Sequence, residues 1–382
     1  MLLREIEISV FKLDNTTFEA IGQINQFTSL IWPDKFNGYS TFELNAPVNA
    51  ENRNLIKKGN IVWCGGDNAA VIEIIDSSTN DAGQQVYKVK GRTLEMILTT
   101  RIIWGTYACE SLPASTVMYE IVDKNFLNTV IVNRRMPFFE CAPDEQFGKV
   151  MSFQRTGGEV YDAIQNIATD SELGFCILFR PNERKLIFKV LRGVDRTGMQ
   201  QGGSASDFVA FSTDLDDILS SSYYTNNQDI KTVALVAGEG EGQDRVFSTA
   251  GDAIATGFSR REMYVDARDI QSTIMNDDGT ETSLSFEAYR DMLEVRGDEK
   301  LSERIETESF DAKMRVMGNV QYEYGVDYYK GDKVIVQDAN LGIQIVAVVS
   351  ESCEYFDDKY ALDVTFGFSH PTLFQKIKQQ TS

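Results

Sequence analysis

The chain has 382 residues, of which 42% are hydrophobic and 25% charged, a composition that supports folded domains and leaves no disordered majority. Its length exceeds one comfortable core and favours two to four domains. Asp and Glu number 57 against 37 Lys and Arg, a formal charge of −20 that repels polyanions on average and makes nucleic acid a poor ligand.

The N-terminal segment MLLREIEISVFKLD carries an acidic residue early and alternates instead of forming an apolar run, so it does not read as a signal peptide. No stretch approaches the uninterrupted apolar length of a membrane-spanning helix, and no membrane span is expected. The expectation is a protein folded in a cytoplasm. Cys64, Cys109, Cys141, Cys176 and Cys353 are widely spaced, with no CxxC pair and no neighbouring His, and read as free thiols. Cys176, inside the apolar run 175–179, reads as a small buried hydrophobe.

In chain order, Ile6, Ile8 and Val10 alternate with polar neighbours, and residues 39–44, 71–75 and 86–89 continue in strand-like runs. Leu94, Ile97 and Leu98 then place one stripe on a short helical piece, and a β-barrel or sandwich closed by one helix is predicted. From Ser111 the period changes. Pro113 suits a first helical turn, and Val117, Met118, Ile121 and Val122 form a helical face. Thr156, Gly157, Gly158 and Glu159 have the spacing of a capping box opening a second helix with Val160, Ile164 and Ile167 buried. Two strand-like runs, 175–180 and 185–191, are joined by Pro181, Asn182 and Glu183.

Strand character returns at 208–211, and 232–237 reads as a buried strand. A polar, Gly-rich stretch follows to Gly251, then a strand ending at Tyr264 and Val265, a hairpin turn at 276–279, and a helix near 286–301 with Tyr289, Met292 and Leu293 on one side. Residues 326–368 are strand and turn throughout, with 343–349 strongly β-branched and Asp357 and Asp358 marking a turn. The fold class expected is α+β and multi-domain: a first β-domain at 1–105, an α+β domain at 106–205, a discontinuous second β-domain at 206–237 and 309–370, an inserted α+β segment at 238–308, and a tail at 371–382.

Little of this sequence reads as chemistry. His370 is the only histidine, so any triad must use it, and its place beyond the last strand makes it a surface residue. Gly238, Glu239, Gly240, Glu241 and Gly242 mimic a phosphate loop, yet carboxylates sit among the glycines and no Lys-Ser/Thr pair follows, so a sharp turn is the reading. Asp214, Asp216 and Asp217, and Asp277, Asp278 and Glu281, lack the spacing of a calcium loop and read as solvated turns. No catalytic, cofactor-binding or metal residues are assigned, and no cofactor is expected. A pair of glycosidase carboxylates leaves no sequence signature.

Several strings carry a resemblance. The segment YYTNNQDIKTVALVAGEGEGQDR (223–245) followed by REMYVDARDI (261–270) resembles the siphovirus tail hub family, proteins that form a baseplate hub or the N-terminal part of tail-associated lysins and are similar to contractile-phage baseplate hubs. Gly91, Arg92, Leu94, Leu98 and Arg101, and DYYKGDKVIV (327–336), resemble two further recurrent segments of that family. The resemblance implies a homotrimer whose subunits each carry two related tube-like antiparallel β-barrel domains, six of which form a pseudo-hexameric ring adapting a six-fold tube to a three-fold tip. It implies a non-enzymatic structural protein of the virion, assembled in the host cytoplasm, that serves as a conduit for genome ejection. Its implied partners are a distal tail protein or tail tube, the tape measure protein and tip or receptor-binding proteins, with DNA passing through the bore and no sequence-specific binding. Many relatives carry a C-terminal lytic extension, which is not expected here. A tail-associated cell-wall hydrolase and a carbohydrate-binding baseplate module are the alternatives.

Overall fold

The computed structural model describes residues 6–79, 83–198, 208–213, 218–275, 281–304, 307–314, 316, 321–357 and 359–367. The chain opens with β1 (Ile8–Leu13), β2 (Phe18–Ile24), β3 (Ser29–Lys35), β4 (Thr41–Pro47), a short helix α1 (Ala50–Leu55), β5 (Ile61–Trp63), β6 (Ala69–Thr79) and β7 (Gln85–Thr93). There follow β8 (Thr106–Pro113), α2 (Ala114–Val122), β9 (Phe139–Cys141), β10 (Val150–Thr156), α3 (Val160–Asp170), β11 (Gly174–Arg180), β12 (Lys185–Leu191), β13 (Ala210–Ser212) and β14 (Ile218–Asn226). The last part holds β15 (Val233–Ala237), β16 (Phe247–Gly251), β17 (Glu262–Asp266), β18 (Thr273–Met275), β19 (Glu281–Ser283), α4 (Phe286–Ser302), β20 (Thr307–Met314), β21 (Lys333–Asp338), β22 (Ile343–Phe356) and β23 (Tyr360–Gly367). The fold is thus mostly β with few helices, where the α+β class was expected.

Contacts divide the chain into two compact units. The first comprises Met1–Met96, Gly174–Thr225 and Thr307–Ser382, and the second Ile97–Leu173 and Asn226–Glu306.

The first unit is built on one long sheet whose strands run β14-β20-β23-β22-β3-β4-β7-β6-β5-β1-β2, with β21 on β22 and β13 on β21. Alternation explains the inner face: Phe42, Leu44 and Ala46 of β4 are buried while Glu43 and Asn45 between them are less so. Two cores lie along this sheet. One gathers Val10, Trp32, Phe42, Leu44, Ile72 and Val89. The other gathers Phe211, Phe310, Tyr328, Val334, Val364 and Phe366.

The strand that joins them is β22. Its first half pairs with β21, a bulge falls between Val349 and Glu351, and its second half pairs with β3 on one side and β23 on the other. The two expected β-barrels are therefore corrected: among the described residues no ladder closes either region on itself, because the edge that would close the first region is already paired to the second through β3 and β22. The hairpin β11–β12 belongs to this unit, and its Phe179 stacks on Phe18 at 5.3 Å and meets Phe11 edge-on at 5.0 Å. Cys176 on that hairpin is buried as anticipated.

In the second unit a mixed sheet β16-β15-β17 covers α4, with Ala234, Val236, Ala250 and Val265 packed on Tyr289, Met292 and Leu293. The helix carries the three residues on its buried side as read from the sequence. One sequence expectation needs correction. Thr156 is not a capping residue: it ends β10, its hydroxyl lies 2.9 Å from that of Thr106, and α3 starts one residue beyond Glu159 without a side-chain cap. The strand β15 is buried as expected at Val233, Ala234, Val236 and Ala237, with Leu235 exposed at 42%. Leu94, Ile97 and Leu98 are buried as expected, although the local winding is 3-10 (Leu94–Thr100) rather than α.

Candidate functional site

The segments that stand out in the sequence do structural work. In 327–336, Tyr328 is buried edge-on against Phe211 at 4.9 Å, and Lys330 donates to Asp34 of β3 at 2.6 Å. Gly331 (φ +93°) presses against the Phe36 ring, where a Cβ would sit 2.3 Å away. Asp332 accepts from the Val194 and Tyr329 amides at 2.9 and 3.0 Å and from Arg196 Nε at 2.5 Å. This string therefore fastens the second core to the first at the β3–β22 seam. Gly91 and Arg92 serve the first core alone: Gly91 crosses β6 so closely that a Cβ would lie 1.8 Å from the Val71 carbonyl oxygen. Arg92 grips Glu73 bidentately at 2.8 and 2.6 Å and lies over the Tyr39 ring.

A polar cluster accompanies the seam that no sequence signal announced. Glu95 is buried, and its Oε1 accepts from the Ile177 amide at 3.1 Å. Burial raises its pKa above the ordinary carboxylate value, against the pull of Lys330. Burial opposes the Lys330 charge, but the Asp34 carboxylate bonded to it outweighs that cost and holds the ammonium protonated. Lys35 with Glu351, and Ser352 with the Tyr324 hydroxyl at 2.9 Å, continue the seam. Ion-pair partners come from segments some 300 residues apart, so no local pattern could have paired them.

The second pair of strings builds the other unit. Gly238 to Gly242 is a hairpin turn between β15 and β16, closed by Gly238 N to Val246 O and Val246 N to Glu239 O. The Tyr289 hydroxyl accepts from the Glu239 amide at 2.8 Å and donates to the Ile270 carbonyl, tying the turn to α4. Glu239 accepts from Ser272 at 2.8 Å, so a carboxylate occupies the space a phosphate loop would leave for its ligand. Asp266 receives Arg245 and Arg268, at 2.9 and 2.6 Å.

Of the chemical candidates, His370, Asp214, Asp216, Asp217, Asp277 and Asp278 lie outside the described residues, and Glu281 is exposed at the start of β19. Among the described residues no three of His, Cys, Asp and Glu gather as a metal site would require. The five cysteines are free, and burial pushes the Cys141 and Cys176 thiols to about 12, Cys353 to about 11, and Cys64 and Cys109 upward, which suppresses the nucleophilic thiolate. A cleft of about 280 Å³ on the first unit is lined by Trp63, Phe356 and two carboxylates, Glu7 and Glu354. Ligand sites are commonly larger, upward of about 300 Å³. Glu354 there accepts from the Tyr360 hydroxyl at 2.8 Å, which occupies one of its oxygens.

Strands β14 and β2 end the sheet path of the first unit. In the second unit the outer face of β16-β15-β17 exposes Leu235, Phe247 and Tyr264, with Leu235 directly opposite Tyr264. No helix among the described residues is long and apolar enough to cross a membrane.

A family model described as Siphovirus ReqiPepy6 Gp37-like protein matches residues 7–368. The chain belongs to that family. Three solved tail proteins share the architecture of this Gp37-like chain. The prophage MuSo2 43 kDa tail protein of Shewanella oneidensis aligns at TM-score 0.54 and 11% identity, over 95% of this chain and 98% of that one. A tail protein of Neisseria meningitidis MC58 aligns at 0.52 and 12%, over 94% and 96%. The prophage tail protein gp18 of Listeria monocytogenes EGD-e aligns at 0.50 and 10%, over 98% of both. No curated protein matches the sequence. At these identities the likeness concerns fold, and the fold of the Gp37-like chain is that of phage tail proteins.

Proposed function

We propose that this chain is a structural hub at the tip or baseplate of a phage tail, three copies forming a ring that adapts the tail tube to the tip and through which the genome leaves. The observation that carries the reading is the single sheet with two cores, joined by β22, whose path among the described residues ends at β14 and β2. Two tube-like β-regions, about residues 1–105 and, with β15 falling to the second unit, about 206–225 with 309–370, would let three copies present six similar surfaces under cyclic symmetry. Pairing the sheet ends between copies hides backbone groups that make free edges prone to aggregation. Residues 106–205 and 238–308 are left to meet neighbours: a distal tail protein or tube, the tape measure protein, and tip or receptor-binding proteins. The role is non-enzymatic. The charge of −20 suits a bore whose carboxylates keep DNA from adhering during passage.

Cryo-electron microscopy of purified tails tests this directly. Three copies with six β-domains around the axis and an acid-lined lumen are expected. Six copies contributing one β-domain each would overturn the hub reading, whereas a lumen dominated by Lys and Arg would overturn only the role given to the charge. Isolated protein added to host peptidoglycan should leave turbidity unchanged, and clearing would favour the cell-wall hydrolase.

A further inference from the structure

The second unit carries a basic, apolar surface around Trp104 that the hub reading does not use. Helix α2 ends in a π turn (Asp123–Leu127), a local distortion that recurs at functional positions. The turn places the buried Asn125 so that its Nδ2 donates to Ile121 O at 2.8 Å while its Oδ1 accepts from the Trp104 amide at 3.1 Å and from Arg134 Nη2 at 3.2 Å. Arg134 also donates to Ile102 O at 2.6 Å, and its guanidinium lies 5.0 Å from the centre of the Trp104 ring. Arg101 lies behind it, bonded to Arg134 O at 3.2 Å and set over the buried Phe126.

Exposure and charge both set this place apart. Trp104 is 62% exposed, Val130 93% and Val132 66%. Arg101, Lys124, Arg134 and Arg135 make no ion pair with any described carboxylate, in a chain with twenty more acids than bases. Burial and the neighbouring Arg101 both press on the Arg134 charge, so an incoming anion would relieve a strain already present. Rigidly held Trp and Arg beside exposed aliphatic residues are the composition of interface centres that supply most of a binding energy.

We propose that this surface docks a carboxylate-rich, leucine-type segment of a neighbouring protein, its acids meeting Arg134 and Arg101 and its apolar side chains meeting Trp104, Val130 and Val132. Charge complementarity selects the occupant. Four cations with no described carboxylate partner call for acids, and the exposed Trp104, Val130 and Val132 call for apolar side chains beside them, a combination a peptide supplies.

The test uses the full chain and a fluorescein-labelled peptide of alternating glutamate and leucine, read by anisotropy and by quenching of tryptophan emission. Binding is expected that weakens with salt and falls by about tenfold or more in Arg134→Gln and in Val130→Asp. Val130 is almost wholly exposed, so the second variant folds even if the first is compromised. The alternating glutamine and leucine peptide should not bind. Failure of the acidic peptide to bind, equal binding of the glutamine peptide, or binding unchanged in both variants would each overturn the proposal. So would tighter binding of oligothymidylate that Arg134→Gln abolishes, or self-association of the chain that Val130→Asp abolishes, the latter marking an interface between copies.

Discussion

The two cores of the long sheet are filled by similar residues but assembled in different ways. Apart from Phe356 of β22, the first draws on one continuous stretch: β1 pairs with β2, β3 with β4 and β6 with β7, each partner following its mate along the chain. The second is collected from β13 and β14, then, after the whole of Asn226–Glu306 has been spent in the other unit, from β20 to β23. Local hairpins find their partners cheaply, whereas closing a loop of that length must precede any reward from the second core. The polar seam between the two cores works over long range: Lys330 to Asp34, Arg196 to Asp332 and Lys35 to Glu351 hold distant segments in one register, whereas the pairs inside the first core, Arg92 to Glu73 and Lys88 and Lys90 to Glu43, join nearby strands. The difference is one of range: where chain order supplies the neighbours, glycine and ion-pair contacts join strands close in sequence, as Gly91 and Arg92 of β7 do with β6, whereas the second core depends on such contacts across hundreds of residues.

The strongest way to break the comparison is through the glycines. Gly91→Ala places a Cβ against a backbone oxygen that has no room to retreat, and a loss of about 4 kcal/mol or more is expected. Gly331→Val meets both the Phe36 ring and a left-handed backbone and should be comparably damaging. Hydrogen exchange resolved by segment would separate them: Gly91→Ala should first expose 8–93, and Gly331→Val first 307–367. Simultaneous loss of protection in both regions from either variant would mean that the sheet unfolds as one piece and that the two cores are not separable.

Next in size is the seam charge. Lys330→Met leaves Asp34 and the buried Glu95 without their cation, and a loss of about 2–3 kcal/mol is expected, somewhat under the value for a fully buried pair because both side chains keep some solvent contact. Adding Asp34→Asn should recover part of it in a double-mutant cycle by urea denaturation. Additive losses would show that the two residues do not act as a pair.

The smallest effect concerns the second unit, at a polar contact between neighbouring segments. Asp144 accepts from Ser115 Oγ at 2.7 Å, Thr116 Oγ1 at 2.5 Å and the Gln146 amide at 2.9 Å, beside the start of α2. Burial pulls its pKa upward, but these donors outweigh burial and hold it below the ordinary 3.8. A carboxylate depressed in the folded state adds stability at every pH above its unfolded pKa and loses it as pH falls through the folded one. Asp144→Asn should therefore cost about 1 kcal/mol at neutral pH and make thermal stability less sensitive to acid below about pH 4. An unchanged acid profile would assign that sensitivity to other carboxylates.

Much of this molecule was determined locally. The alternation at Ile8 and Val10, the apolar run of the β11–β12 hairpin and the face of α4 at Tyr289, Met292 and Leu293 each reflect a period that the backbone imposes on neighbouring side chains, so they were legible without any tertiary contact. The recurrent strings were also enough to place the chain in its family. Tertiary structure alone decided the rest. Whether Thr156 capped a helix or ended a strand depended on Thr106 across the ladder, and whether two β-rich regions closed separately or joined depended on which strand reached the free edge of β3 first. Lys330 and Asp34, and the Asn125 clamp on Trp104 and Arg134, were equally silent in sequence. Their partners are fixed by proximity in space, and a side chain's charge or hydrogen-bonding capacity names what it needs without naming where along the chain it will be found.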